Sequence, residues 1–308
     1  MKNKVSIRGK VIKKVLSIFM NFPRKVVKTG YKMSRKKQCW RVPKNYQLTK
    51  INLDGLPIEI LFSDKAIHST KLILHFHGGA FLFRYFNLYR HIAYKYAKIS
   101  NAKVVSIDYH TAPYHPFPKP LEDASKVWQY LINEGYKQEN IIIVGDSAGG
   151  NLALTLTMKL RDNNQALPNA LVLISPWGDL KFSGKSYKYN LYKDPLFGQK
   201  KGEKKSILFI MQDFIKAYAN NTDLSNPYLS PVYGSFNNFP PMLLIVGALE
   251  MLESDTITIH EKARAINTDA RLLRYEGMFH DFPLLLNLIP ESKHAWDEII
   301  DFITTQFS

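Results

Sequence analysis

From residue 46 onward the chain alternates short apolar runs with longer segments of mixed character. Lys71–Phe76, Ala102–Ile107, Asn140–Val144, Ala170–Ile174, Met242–Val246 and Ala270–Tyr275 are β-rich, and several are apolar throughout. That is the pattern of strands covered on both faces of a parallel sheet. Between them, Leu88–Ile99, Pro120–Glu134, Gly149–Arg161, Ser254–Ile266 and Ser292–Phe307 have helical length and spacing. Such alternation predicts a doubly wound α/β domain. Ahead of it, Tyr46–Leu53 and Leu56–Phe62, joined by Asp54-Gly55, predict an antiparallel hairpin at the sheet edge. Residues 180 to about 230 break the rhythm and are rich in Lys, Tyr, Asn and Gly. An excursion of this length in a compact domain carries its own helix, here Ile207–Asn220, and a function such as a lid. The Lys-rich Gln199–Lys205 reads as a solvated loop.

Composition adds little to this until the charge is located. The chain has 308 residues, 45% hydrophobic and 22% charged, an ordinary globular composition. A lone Cys39 excludes an internal disulfide and a cysteine-based metal site. The net charge of +16 suggests nucleic acid at first sight. However, sixteen of the 42 Lys and Arg precede Asp54, the first acid, and the other 26 are balanced by 26 acids. The asymmetry therefore belongs to one end, and no nucleic-acid-binding motif accompanies it. Within that end the apolar stretch Val15–Met20 is too short for a signal peptide or a membrane span. Val11, Ile12, Val15, Leu16, Ile18 and Phe19 recur at helical spacing with lysines between them, which predicts a basic amphipathic helix. Two roles stay open for residues 1–20: packing on the main domain, or peripheral contact with an anionic membrane surface. The expected location is the cytoplasm, with that membrane contact on its inner face, and a homodimer is left open.

Candidate chemistry begins at Gly145-Asp146-Ser147-Ala148-Gly149-Gly150, a G-x-S-x-G segment between a predicted strand and a predicted helix. A serine hydroxyl is a weak nucleophile, and a tight strand-to-helix turn lifts it above the sheet with small residues on either side. Upstream, His77-Gly78-Gly79-Ala80 follows an apolar strand, where glycine amides can be aimed at a developing oxyanion. The base should follow the last strands, because the triad order on such folds is Ser, acid, His. His280, in a loop after Ala270–Tyr275, fits; His260 and His294 lie in predicted helices among charged neighbours. Candidates for the acid follow Met242–Val246: Glu250 first and Asp255 second, the latter also suited to capping the next helix.

These motifs resemble the hormone-sensitive-lipase family of α/β-hydrolases, which includes microbial carboxylesterases and arylacetamide-deacetylase-like enzymes. His77–Ala80 is similar to its H-G-G-G/A motif, Gly145–Gly150 to its G-D-S-A-G-G elbow, and Asp108–Pro118 to D-Y-R-L-A-P-E-H-P-F-P with changes at His110, Thr111 and Tyr114. Gly277-Met278-Phe279-His280-Asp281-Phe282 matches G-M-x-H-x-F. The resemblance spans residues 70 to 285 and implies an α/β-hydrolase fold with a helical cap. The cap would come from basic residues 1–45 and the 180–225 insert, over a catalytic domain of residues 46–308. It further implies a triad of Ser147, Glu250 and His280, an oxyanion hole of the Gly78, Gly79 and Ala148 amides, and His77 as an organiser of the loop. Glu250 stands where many relatives have Asp, as in a subgroup reading G-x-x-E. Ala80, Phe81, Asp146 and Trp177 are the supporting and pocket residues. The expected reaction is hydrolysis of a short- to medium-chain carboxylic ester through an acyl-enzyme, with no metal or organic cofactor. A sugar or amide deacetylase, and a non-catalytic small-molecule binder on the same fold, are the alternatives.

Overall fold

The computed structural model describes residues 5–19, 28, 31–36, 38–199 and 207–308. The loop expected over Gln199–Lys205 therefore lies, but for Gln199, outside the described residues, as does part of the N-terminal segment.

Eight strands form one sheet in the order β1-β2-β4-β3-β5-β6-β7-β8. The hairpin is β1 (Tyr46–Leu53) and β2 (Leu56–Ser63), and β2 continues antiparallel onto β4 (Lys103–Ile107). Every remaining pairing is parallel, among β3 (Leu72–Phe76), β4, β5 (Ile141–Asp146), β6 (Ala170–Ile174), β7 (Met242–Gly247) and β8 (Ala270–Tyr275). The fold class expected from the sequence is the one observed.

Alternation along the strands explains the two-sided core. Leu72, Leu74, Ile141, Ile143, Leu171 and Leu173 join one apolar cluster, whereas Ile73, Ile142, Val144, Val172 and Ile245 join the other. Successive side chains of a strand point to opposite faces, so an unbroken apolar run is what a twice-covered sheet requires. The first face carries α3 (Lys119–Asn133) and α4 (Ala148–Asp162), and α7 (Glu253–Ala265) reaches the same cluster through Ile259 and Ala263. The second face carries α2 (Asn87–Ser100) and α8 (Pro290–Gln306), where Trp296 is buried against Tyr96 with ring centroids 4.9 Å apart.

Further helices among the described residues are α1 (Ile7–Phe19), α5 (Ser186–Tyr189) and α6 (Ile207–Ala219). The last two belong to the insert between β6 and β7. Helix α1 docks on α8: Ser6 caps it by accepting the Gly9 N–H (2.9 Å), while the Ser6 N–H and hydroxyl both donate to Glu291 (2.6 and 2.9 Å). Arg35 donates to the Leu82 carbonyl (2.9 Å) and to Thr111 Oγ1 (3.1 Å), tying the N-terminal segment to the loop after β3.

Candidate active site

The carboxyl ends of the parallel strands β3, β5, β7 and β8 point the same way, and each delivers one part of the site. This is where open α/β sheets build clefts. Ser147 follows β5 with φ 51° and ψ −117°, a strained turn that costs about 1–3 kcal/mol. Trp177 and Asn151 hold it by donating their amides to the Ser147 carbonyl at 3.0 and 3.1 Å. The turn also needs small neighbours: a Cβ on Gly149 would come within 2.1 Å of the Phe76 carbonyl oxygen.

Glu250 and His280 meet where β7 and β8 end. The buried Glu250 accepts from His280 Nδ1 at 2.9 Å, and its other oxygen accepts from Ser175 Oγ at 2.9 Å and from the Gly247 amide. Burial pushes the Glu250 carboxyl up, to about 7, against the hydrogen bond and charge of His280. Burial opposes a charge on His280, yet the carboxylates of Asp281 and Glu250 outweigh it and hold the imidazole well above its usual range. Asp255 takes another role. It accepts from the amides of Gly178 and Asp179 (both 3.0 Å) and from the Tyr187 hydroxyl (2.7 Å), fixing the loop after β6.

Asp281 is the residue that sequence reasoning passed over. Its Oδ2 lies 3.0 Å from His280 Nε2, the ring nitrogen that does not face Glu250, and its Oδ1 is buried without a partner among the described residues. The signal was its position directly after His280; nothing in the pattern said that a left-handed backbone (φ 54°, ψ 29°) would fold it back onto the ring.

The loop after β3 is wound by consecutive positive φ values at Gly79, Ala80 and Phe81 (110°, 55° and 57°). The Gly78 N–H donates to Asp146 Oδ1 at 3.2 Å, and a Cβ on Gly78 would sit 2.2 Å from Asp146 Oδ2. That amide is thus engaged, whereas those of Gly79 and Ala148 have no hydrogen-bond partner among the described residues. Asp146 also accepts from the Tyr89 hydroxyl (3.3 Å), and burial together with Asp281 pushes its carboxyl well above the carboxylate range. His77 is stacked on Tyr109 (4.2 Å, 6°), with Nδ1 2.7 Å from the Gly78 carbonyl. Burial lowers its pKa to about 4, which makes it a neutral brace for the loop.

Ser147 and His280 open onto one cavity of about 310 Å³. Ala80 and Trp177 line it; Phe81 instead turns into the core, stacked on Tyr218 (4.0 Å, 7°), and Leu82 and Phe83 take the wall. The insert closes the opposite side with Leu196, Phe197 and Phe214, and Phe197 lies 4.6 Å from the His280 ring. Asp194 anchors that cover. Buried, it accepts from Leu196 (2.8 Å), Phe197 (3.2 Å) and Met251 (3.0 Å) amides, the last one residue beyond Glu250. None of the described N-terminal residues lines the cavity. Among the described residues no cluster of three His, Cys, Asp or Glu could hold a metal ion.

Residues 73–284 match the family described as the alpha/beta hydrolase fold. An esterase of Acinetobacter venetianus is 32% identical over 87% of this chain and 86% of its own length. The putative acetyl-hydrolase LipR of Mycobacterium tuberculosis is 31% identical over 83% of this chain and 79% of its own. The crystal structure of an esterase from the bacterial hormone-sensitive lipase family superposes with a TM-score of 0.85 at 26% identity, covering 99% of this chain and all of that one. The chain belongs to the α/β-hydrolases, and within them to the esterase family typified by hormone-sensitive lipase.

Proposed function

We propose that this carboxylic ester hydrolase works through an acyl-enzyme on Ser147, with His280 as base, Glu250 as the acid behind it, and the amides of Gly79 and Ala148 as the oxyanion donors. The observation that carries the reading is the Glu250–His280 Nδ1 contact of 2.9 Å beside a strained Ser147 on the same cavity. Nδ1–H then donates to Glu250, which leaves Nε2 to accept the Ser147 proton once it gives up Asp281. Oγ attacks the ester carbonyl carbon, and the oxyanion settles on the free amides. Collapse expels the alcohol, which takes the proton from Nε2. Water then passes a proton to Nε2, attacks the acyl carbon, and releases the carboxylic acid as the proton returns to Oγ.

A cavity of about 310 Å³ walled by Leu82, Phe83, Leu196 and Phe197 supports short- to medium-chain acyl groups. It lies at the small end of the usual ligand-cavity range of about 300–1,000 Å³. Hydrolysis of p-nitrophenyl esters from acetyl to palmitoyl tests both points. We expect kcat/KM to peak at short to medium chains and to fall roughly 10⁴–10⁶-fold on Ser147→Ala. Full activity of that variant overturns the mechanism. Relatives called acetyl-hydrolases favour a second reading, removal of acetyl groups from a sugar or amide. Acetate release from such substrates at a kcat/KM above that for the butyryl ester would select it.

A further inference from the structure

The apolar residues of α1 divide between two faces centred about 120° apart. Ile12 and Leu16, with Val5 just ahead of the helix, pack on the core beside α8, and Val5 fills the space above Gly277 in the loop that carries His280. Ile7, Val11, Val15 and Ile18 form the other face, with 81, 55, 43 and 58% of their surface exposed. At about 100° per residue these four fall within an arc of roughly 80°, bordered by Lys10 and Lys14 on one side and Arg8 on the other. Burial has already been satisfied on the inner face, so the outer stripe is surplus to folding.

The lysines extend the same surface. Lys10, Lys13, Lys14 and Lys193 surround a cavity of about 330 Å³ between α1 and the insert, completed by Tyr192 and Asp194. Lys10, Lys13 and Lys14 have no carboxylate partner among the described residues. Leu196 and Phe197, on the same short stretch of the insert as Tyr192 and Lys193, wall the acyl cavity.

We propose that α1 docks this protein on an anionic lipid surface, its Ile7–Val11–Val15–Ile18 stripe entering the headgroup–acyl boundary and lipid phosphates occupying the lysine-lined cavity. Charge selects this occupant. A second copy seated on the stripe would bring two lysine clusters together, and residues 1–53 contain no acid to offset them. A specific protein partner is recognised through aromatic and arginine anchors in pockets. The exposed row itself is Val and Ile alone, with Arg8 at its border and Tyr192 in the adjoining cavity, and a fluid bilayer needs only such apolar area and cationic flanks. Docked so, the enzyme meets apolar esters at the phase into which they partition, with Tyr192 and Lys193 of the insert beside the same surface.

The test is co-sedimentation of the full chain with phosphatidylcholine vesicles, with and without about one-third phosphatidylglycerol. We expect partition onto the anionic vesicles, weaker partition onto the neutral ones, and a decline with salt. Val11→Ser with Val15→Ser should lower anionic-vesicle partition by about tenfold or more, and Lys10→Gln with Lys14→Gln should remove the preference for phosphatidylglycerol. Both variants should keep wild-type hydrolysis of p-nitrophenyl butyrate in vesicle-free buffer, since Val5, Ile12 and Leu16 still anchor the helix. The proposal is overturned if wild type stays in the supernatant or if the Ser variant sediments like wild type. It is equally overturned if sedimentation equilibrium shows a dimer that Val11→Ser dissociates while no vesicle is bound. Inactive wild-type protein that still binds anionic vesicles would count against the esterase mechanism alone.

Discussion

At Glu250 and Asp255, two buried carboxylates five residues apart have opposite partners, and substitution separates their roles. Glu250→Gln keeps the volume but removes the charge that stabilises the imidazolium and can fix the wrong tautomer. Its kcat/KM for p-nitrophenyl butyrate is expected to drop by about 10³–10⁴-fold with melting little changed. Asp255→Ala removes the single oxygen, Oδ2, that accepts from the Gly178 and Asp179 amides and the Tyr187 hydroxyl alike. It is expected to cost about 1–3 kcal/mol in urea unfolding while the folded fraction keeps most of its turnover. Asp281 offers a pH signature. Its carboxylate helps hold His280 above the ordinary histidine value of about 6.5, and a base must be deprotonated to work. Wild-type kcat/KM should therefore rise with pH through a value above that. Asp281→Asn should move this acid limb to lower pH, because the positive form loses a partner. An unmoved limb would mean that Asp281 does not act on the ring. The triad candidates were legible as residue types just past strands, and Glu250 could be ranked above Asp255. What the sequence left hidden was local: the left-handed turn that folds Asp281 onto His280, and the Asp146 contact that occupies the Gly78 amide.

The elements differ in how plainly they were written. The central runs Ile141–Val144, Ala170–Ile174 and Met242–Val246 announced themselves because both faces are covered and every residue is apolar and buried, whereas the edge strand β8 exposes Arg271 and Arg274. The insert was visible only as an interruption. Its conformation rests on Asp194, whose three accepted hydrogen bonds reach two residues along the chain and, across the fold, Met251. No local pattern encodes the last of these. Asp194→Ala should free Leu196 and Phe197 from the acyl cavity and loosen the turn after Glu250. We expect KM for the butyryl ester to rise about tenfold or more and kcat to fall as well, measured by steady-state hydrolysis beside a native-like circular dichroism spectrum. Phe81 was misplaced in the pocket for a related reason: three positive φ values in a row rotate it into the core, and a sequence that is not all glycine there gives no warning.

For the whole molecule, the charge asymmetry was readable to the residue, since no acid precedes Asp54. The helical period of α1 was readable too. That its apolar positions serve two faces at once depends on where α8 and the His280 loop lie, which only the assembled fold supplies. The N-terminal segment also proves to be a buttress in its described parts: Arg35 grips the loop after β3, and Ser6 grips Glu291 on α8.

The division between strand ends and insert bears on how this catalyst could be altered. Ser147, Glu250 and His280 follow β5, β7 and β8, the first two strands inside the two-sided core and the last at the sheet edge. Leu82, Leu196, Phe197 and Phe214 are walls contributed by loops and the insert. A combinatorial library confined to those four positions changes which guest is admitted while the proposed triad residues keep their place. Selectivity can thus be re-engineered as a replaceable fitting, with modest stability losses at the part-exposed Leu196, Phe197 and Phe214 and larger ones at the buried Leu82.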